Sequence, residues 1–372
     1  MADKIRVSVV VGTRPNLIKI SPLVKILAKD QGFKLQLIDT GQHYDYELDG
    51  VFVKQLRIPK PIFLDVGSGP SVEQIERART RIERALAEFK PDIVLVIGDT
   101  NSTLAGALAA AKLGIPLGHI ETGLRSFDWR MPEEINRIIV DHMSDLLFAP
   151  TKNAVKNLKN ERIPKERVFF TYDISVDACL GNYQIAKKSK IAEGLGIGND
   201  FVLVTLHRPS NVDDGEVLSS ILNALVVVSK SREVVFPIHP RTLKRLKEFG
   251  MFKKYSKSIK FIKPLGYFDF LRLLGSAKCV VTDSGGIQKE ALILKTPCIT
   301  VRDTTEWPET LEGGGNTLVL PDRIPNEVSK RCSPGFHKLM KGLKNPYGDG
   351  GTSKRILKIL KEYDGYRHEK QA

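Results

Sequence analysis

Ser8-Val9-Val10-Val11-Gly12-Thr13-Arg14-Pro15 is the stretch on which the reading of this chain turns. A β-branched run ends at a glycine, and a helical pattern begins near Asn16. A strand feeding a helix in this way leaves free backbone N–H groups, with their partial positive charge, at the strand's carboxyl end, where an anion is favoured. Arg14 adds a side-chain cation to that place. Far along the chain a second junction of the same kind appears: Cys279-Val280-Val281-Thr282 gives way to Asp283-Ser284-Gly285-Gly286-Ile287 and a helix through Ala291 and Leu294. Its glycines allow close backbone approach, so a diphosphate fits there without a metal. One such junction in each half points to a single nucleotide-linked ligand held between two α/β domains.

Working outward, short β-branched runs alternate with helical patterns, the signature of βαβ units and parallel sheets. The strands expected in the first half are Ile5–Val11, Leu35–Thr40, Ile93–Ile97, Pro116–Ile120, Leu146–Ala149 and Val168–Thr171. Those in the second are Phe201–Thr205, Glu233–Ile238, Ile259–Ile262, Cys279–Thr282, Cys298–Val301 and Thr317–Leu320. Ser71 and Gln74 have capping-box spacing ahead of a helix whose apolar face is Val72, Ile75, Ala78, Ile82, Ala85, Leu86 and Phe89. The stretch Lys187–Asp200, with Gly194, Gly196 and Gly198, breaks both periodicities and reads as the inter-domain linker. Its glycines precede a strand instead of following one, so they are no dinucleotide fingerprint. The domains expected are residues 1–180 and 181–350, with a helix in 351–372, near Ser353–Tyr363, packing back on the first.

At 372 residues the chain exceeds what one core sustains, and 42% hydrophobic with 27% charged residues is a globular composition. No stretch approaches the roughly 18 apolar residues of a membrane span. Met1-Ala2-Asp3-Lys4 runs straight into a strand, so a cytoplasmic protein is expected. Cys179, Cys279, Cys298 and Cys332 lack CxxC spacing and read as buried reduced thiols. The 57 Lys and Arg against 43 Asp and Glu, a formal charge of +14, raise the question of nucleic acid. The basic residues are scattered, mixed with acids and not interleaved with aromatics, which argues against it.

Three acidic residues sit at expected strand ends in the first half: Asp99 after Gly98, Glu121 in His119-Ile120-Glu121-Thr122-Gly123-Leu124-Arg125, and Glu133 in Met131-Pro132-Glu133-Glu134-Ile135-Asn136-Arg137. Ligands of open α/β sheets lie beyond the carboxyl ends of strands, so these carboxylates are candidates for acid and base work. Asp99 and Glu133 also stand where helix caps belong. Lys19 reads as a first-turn cation that opposes the helix dipole, a local cost that an anionic ligand would offset. His207 leaves the first strand of the second domain and could neutralise phosphate or donate a proton; His239 occupies the equivalent place one strand later. His119 and His142 read as packing histidines. Glu290, about one turn into the second helix, suits a ribose diol. No His, Cys or Asp cluster has metal-ligand spacing, so no metal is expected.

These segments, with Gln42-His43, His207-Arg208, Arg302-Asp303-Thr304-Thr305-Glu306 and Asn345-Pro346-Tyr347-Gly348-Asp349-Gly350, occur in the order that resembles the non-hydrolysing UDP-N-acetylglucosamine 2-epimerases. The resemblance covers nearly the whole chain. It implies a GT-B-type architecture, two Rossmann-like doubly wound parallel-sheet domains with a central cleft, working as a homodimer without cofactor. By matched position Arg14, His207 and Ser284-Gly285-Gly286 would hold the diphosphate, Glu290 the ribose, and Phe270 the uracil, with main-chain contact near Leu265. Lys19, Asp99, Glu121 and Glu133 would line the sugar site, and a second UDP-N-acetylglucosamine would bind as activator near Gln42, His43, Arg208 and His239. The chain departs from the family pattern at Trp307, where many relatives carry arginine, at Pro209-Ser210 in place of Arg-Glu, and in a shorter Ser126–Met131 segment.

The implied reaction interconverts UDP-N-acetylglucosamine and UDP-N-acetylmannosamine. The C2 proton is not next to a carbonyl, so elimination of UDP to 2-acetamidoglucal and re-addition is the expected route. A hydrolysing epimerase and a GT-B glycosyltransferase are the alternative enzymes, and a nucleic-acid-binding module is the alternative of another class.

Overall fold

A computed structural model describes residues 4–42 and 53–363. Two parallel sheets organise it. The first has the order β3-β2-β1-β4-β5-β6-β7, from β1 Ile5–Val11, β2 Phe33–Asp39, β3 Ile62–Phe63, β4 Ile93–Ile97, β5 Leu117–Ile120, β6 Leu146–Ala149 and β7 Val168–Phe170. The second has the order β10-β9-β8-β11-β12-β13, from β8 Phe201–Thr205, β9 Glu233–Pro237, β10 Lys260–Ile262, β11 Cys279–Thr282, β12 Cys298–Thr300 and β13 Asn316–Leu318. The expected strands are present with ends shifted by a residue or two. The exception is β3, which sequence reading missed because two residues carry no period.

Among the described residues the helices of eight residues or more are α1 Arg14–Lys29, α2 Ser71–Phe89, α3 Asn101–Lys112, α4 Pro132–Met143, α5 Lys152–Asn160, α6 Ile174–Ala186, α7 Gly215–Ser229, α8 Pro240–Glu248, α9 Tyr267–Leu274, α10 Gly285–Ile293, α11 Ile324–Arg331, α12 Pro334–Gly342 and α13 Thr352–Glu362. No described helix is long and apolar enough to cross a membrane. The chain divides into two compact units, 1–178 with 347–372, and 179–346. The division falls inside α6, not in Lys187–Asp200, which lies wholly in the second unit. A continuous helix crosses the boundary, so no Gly or Pro cluster marks it.

In the first unit α1 buries Leu17, Ile20, Leu23, Val24 and Leu27, each worth about 1.5–3 kcal/mol. Pro22 within it cannot donate to the Ile18 carbonyl, and the Ser21 hydroxyl donates there instead at 2.9 Å. The α2 start differs from the capping-box reading. Ser71 is the first helical residue, after Pro70, and makes no cap bond. Gln74 instead donates to the carbonyls of Gln42 and Gly67, which needs it buried. Val72, placed by period on the apolar face, is exposed. The C-terminal helix α13 packs on α1, with Lys361 2.6 Å from Asp30, and its first N–H groups, from Thr352 and Ser353, are capped by Asp177.

Both sheets run outward in both directions from a central pair, β1/β4 in one and β8/β11 in the other. At such a switch point the flanking connections leave on opposite faces and open a crevice at the carboxyl ends. Register then decides which residues meet. Ile97 pairs with Ile120, so Gly98-Asp99 and Glu121 leave β4 and β5 together. Thr282 pairs with Thr205, so Asp283 leaves β11 beside Leu206-His207.

Candidate active site

In the first unit the strand-end residues form a charged cluster. Gly12 ends β1 where a Cβ would fall 1.9 Å from Ser102 Oγ, so only glycine lets the turn close. Arg14 and Pro15 then open α1, earlier than sequence period suggests. Lys19 therefore lies in the second turn, past the N–H groups it was expected to oppose. Its ammonium donates to both oxygens of Glu121, at 2.9 and 2.7 Å. Burial disfavours its charge, but Glu121, Asp173 and Asp99 more than offset this and hold Lys19 above the ordinary lysine range. Glu121 itself is buried and has φ +71°, a left-handed conformation that costs a non-glycine residue about 1–3 kcal/mol.

Asp99 follows Gly98, whose φ of +73° turns the chain sharply off β4. A Cβ at Gly98 would lie 3.6 Å from Glu121 Oε2, which shows how close the two strand ends run. Asp99 does not cap α3; Thr100 does. Its carboxylate instead accepts from Arg137 at 2.5 Å, and its carbonyl accepts from Asn136 at 2.9 Å. Glu133 is no cap either: Met131 precedes α4, and Glu133 is exposed with no polar contact among the described residues. The buried acid of that pair is Glu134, whose oxygens accept the Ser126 and Phe127 N–H groups and pair with Arg137 at 2.7 Å. This pins the short Ser126–Met131 segment.

Behind these loops lies a buried network. His119 Nδ1 is 2.7 Å from Asp141 and Nε2 is 2.8 Å from the Gly98 carbonyl. Both ring nitrogens thus lie within hydrogen-bond distance of an oxygen. Asp141 also takes Arg125 at 2.7 Å and the Gly123 N–H at 3.0 Å. Burial works against its charge, but His119, Arg125 and Gly123 hold it below the ordinary carboxylate range. The network thus braces the backbone beneath Asp99 and Glu121. His142, by contrast, is exposed and not in the core, 3.6 Å from Glu161.

In the second unit Ser284 precedes α10 without a side-chain cap bond, and its N–H donates to Thr282 Oγ1. A Cβ at Gly286 would meet nothing within 4 Å, so the backbone there is open to a ligand. At Gly285 the nearest groups would be Glu306 Oε2 at 3.3 Å and Trp307 Nε1 at 3.4 Å. Lys289 rests its ammonium over the Trp307 ring at 3.8 Å. His207 is partly exposed, with Nδ1 3.2 Å from the buried Asp283, and its ring lies 5.5 Å from that of His239. Burial, His207 and Arg241 push His239 below the ordinary histidine value. Glu290 and Tyr267 interact, with Tyr267 held well above its usual range by burial, Glu290 and Cys179. Leu265 and Phe270 are half-buried before and within α9.

Of the residues expected at an activator site, Gln42 is buried and its side-chain oxygen accepts from the Ser102 N–H and hydroxyl. Arg208 is tied to Glu306 at 2.8 Å, and His239 caps α8 through Nδ1. His43 lies outside the described residues. All four cysteines are buried and free. Sequence reading gave no role to Arg137, Asp141, Arg125, Tyr267 or Asp283. For two of them a signal existed: Glu134, Arg137 and Asp141 recur at i, i+3 and i+7, a polar stripe on one face of α4.

The family model described as UDP-N-acetylglucosamine 2-epimerase matches residues 25–361. The chain belongs to this family. It is 44% identical over 364 residues to the UDP-N-acetylglucosamine 2-epimerase of Methanocaldococcus jannaschii, covering 95% of this chain and 98% of that one. Another family relative, the UDP-2,3-diacetamido-2,3-dideoxy-D-glucuronate 2-epimerase of Pseudomonas aeruginosa, is 41% identical over 359 residues, 95% of this chain and 99% of its own. The crystal structure of the M. jannaschii epimerase in complex with UDP-GlcNAc and UDP superposes with a TM-score of 0.81 at 43% identity, over 96% of this chain and 100% of that one. The two parallel-sheet units are thus those of the family's GT-B-like fold.

Proposed function

We propose that the chain interconverts UDP-N-acetylglucosamine and UDP-N-acetylmannosamine without net hydrolysis. The observation that carries this is the Lys19–Glu121 pair beside Asp99, on a backbone strained at Glu121, in a chain of this family. In the forward direction a carboxylate removes the C2 proton while the C1–O bond breaks. The bonding electrons of C1–O leave with UDP, and those of C2–H become the C1=C2 bond of 2-acetamidoglucal. Re-addition of the UDP oxygen to C1, with a proton delivered to the opposite face of C2, gives the epimer. The route needs no nicotinamide and no metal.

The proton traffic falls to Asp99, Glu121 and Glu133, with Lys19 paired to Glu121. Acid–base assistance of this kind contributes about 10²–10⁴-fold. Arg14, His207 and the Ser284-Gly285-Gly286 backbone stabilise the departing diphosphate as fixed donors. Glu290 receives the ribose, Phe270 stacks on uracil, and Leu265 supplies main-chain contact. The working form is a cytoplasmic homodimer, with a second UDP-N-acetylglucosamine as activator at Gln42, His43, Arg208 and His239. The P. aeruginosa relative favours one second reading, a 2-epimerase acting on UDP-2,3-diacetamido-2,3-dideoxy-D-glucuronate.

The test is incubation with each nucleotide sugar in deuterated water, followed at C2 by proton NMR. Deuterium at C2 in an intact mannose-configured UDP-sugar is expected. Free N-acetylmannosamine would instead mark a hydrolase, turnover of the uronate alone the second reading, and no change with either sugar would overturn both.

A further inference from the structure

Asp283 is as buried as any residue of the second unit. Its carboxylate gathers the loop that follows β8. The His207 N–H donates to both oxygens at 3.1 Å, the Arg208 N–H to Oδ2 at 3.0 Å, and Asn211 Nδ2 to Oδ2 at 3.1 Å. Asn211 also donates to the Val301 carbonyl at 3.0 Å, so the same loop is fastened to the residue after β12. His207 completes the set with Nδ1 3.2 Å from Oδ1. The His207 and Arg208 N–H groups and the Asn211 amide are all donors. Burial opposes the charge of Asp283, but the bonds from His207, Arg208 and Asn211 hold it below the ordinary carboxylate range.

We propose that Asp283 is a positioning residue for the reaction. It fixes the proton of His207 on Nδ1 and the ring's orientation, so that Nε2 is the nitrogen presented to the diphosphate. The physical reason is that an ionised carboxylate can only accept, so the ring nitrogen facing it must donate. A neutral ring then offers Nε2 as an acceptor for a proton, and a protonated ring offers Nε2–H to a phosphate oxygen. The groups facing the ring are His239, whose charge burial and His207 itself disfavour, and Asp283; Arg208 is turned to Glu306. The anchor therefore occupies Nδ1 and leaves Nε2 to face the ligand.

This rests on the proposed role of His207, and the experiments separate the two. The first needs no variant: long-range proton–nitrogen NMR of the histidine-labelled protein, without substrate, is expected to show His207 protonated at Nδ1 at every pH at which the protein is folded. A neutral ring carrying its proton on Nε2 overturns the proposal whatever the protein catalyses. The second is a double-mutant cycle on deuterium exchange at C2. D283N is expected to lower kcat by about 10–100-fold, with a smaller change in KM and a displaced pH profile. In an H207Q background the same substitution is expected to cost less than about threefold, because its target is gone. Equal losses in both backgrounds, or an unaltered pH profile in D283N, overturn it. Should D283N not fold, N211A, which removes one anchor of the same carboxylate, is expected to move the His207 ring signals and the pH profile together; movement of neither overturns the proposal.

Discussion

In the first unit the groups at the strand ends are carboxylates, Asp99 and Glu121, and each is held by a cation from a helix, Arg137 or Lys19. In the second unit the polarity is inverted. There Asp283 is the hidden group, and what it holds are donors, the N–H groups of His207 and Arg208 and the ring of His207. The difference follows from the work proposed for each half. A carboxylate that exchanges a proton needs a partner that can give way, so its partner is a long side chain. A cradle for an anion acts best when its donors are already aimed, which calls for an anchor that does not reorganise.

The sharpest way to break this contrast is E121Q. Deuterium exchange at C2 is expected to fall about 10²–10⁴-fold; unchanged turnover would remove Glu121 from the chemistry. Next is D141N, which strips the charge from beneath His119 and Arg125. Breaking a buried pair costs about 3–5 kcal/mol, so urea unfolding should shift to a much lower midpoint, and an unaltered midpoint would show that the network is ornamental. R137M removes the cation from Asp99 and leaves Glu134 with the Ser126 and Phe127 N–H groups and the Ser126 hydroxyl. A stability loss of about 1–3 kcal/mol together with weaker exchange would sharpen the comparison, whereas a stability loss alone would reduce Arg137 to a loop anchor.

The smallest effect concerns Glu306 in the second unit. Burial raises its pKa, but hydrogen bonds from Arg302 and Arg208 outweigh that and bring it to about 2. The unfolded chain binds that proton more readily. The stabilisation is therefore present above pH of roughly 4.3 and is lost as pH falls through about 2. Its side chain is half exposed, so screening limits the effect to less than about 1 kcal/mol. E306Q should flatten that limb of the acid-unfolding curve while leaving neutral stability nearly unchanged.

Much of this architecture is legible in the chain. β-branched runs such as Ser8–Val11 and Cys279–Thr282 are buried on both faces of parallel sheets, and such strands are continuous in sequence. What period cannot show is a strand as short as Ile62–Phe63, or a domain boundary carried by an unbroken helix such as α6. At the site, Asp99, Glu121 and Arg14 stand out because they follow strands. Glu134 and Arg137 follow no strand, and their only mark in the chain is the i, i+3, i+7 polar stripe they share with Asp141, which does not say whether that face of the helix is buried or solvated.

The amino-acid sequence by itself determined the alternation of strands and helices, the two junctions at Gly12 and Asp283, and which residues stand at strand ends. Those are consequences of local sterics and period. Only the tertiary structure decided which charges meet: that Lys19 answers Glu121 and not the helix dipole, that His119 braces Gly98, and that Asp283 faces a histidine 76 residues away. Strand order and register set those pairings, and both are settled by packing between segments remote in the chain, which no local pattern records.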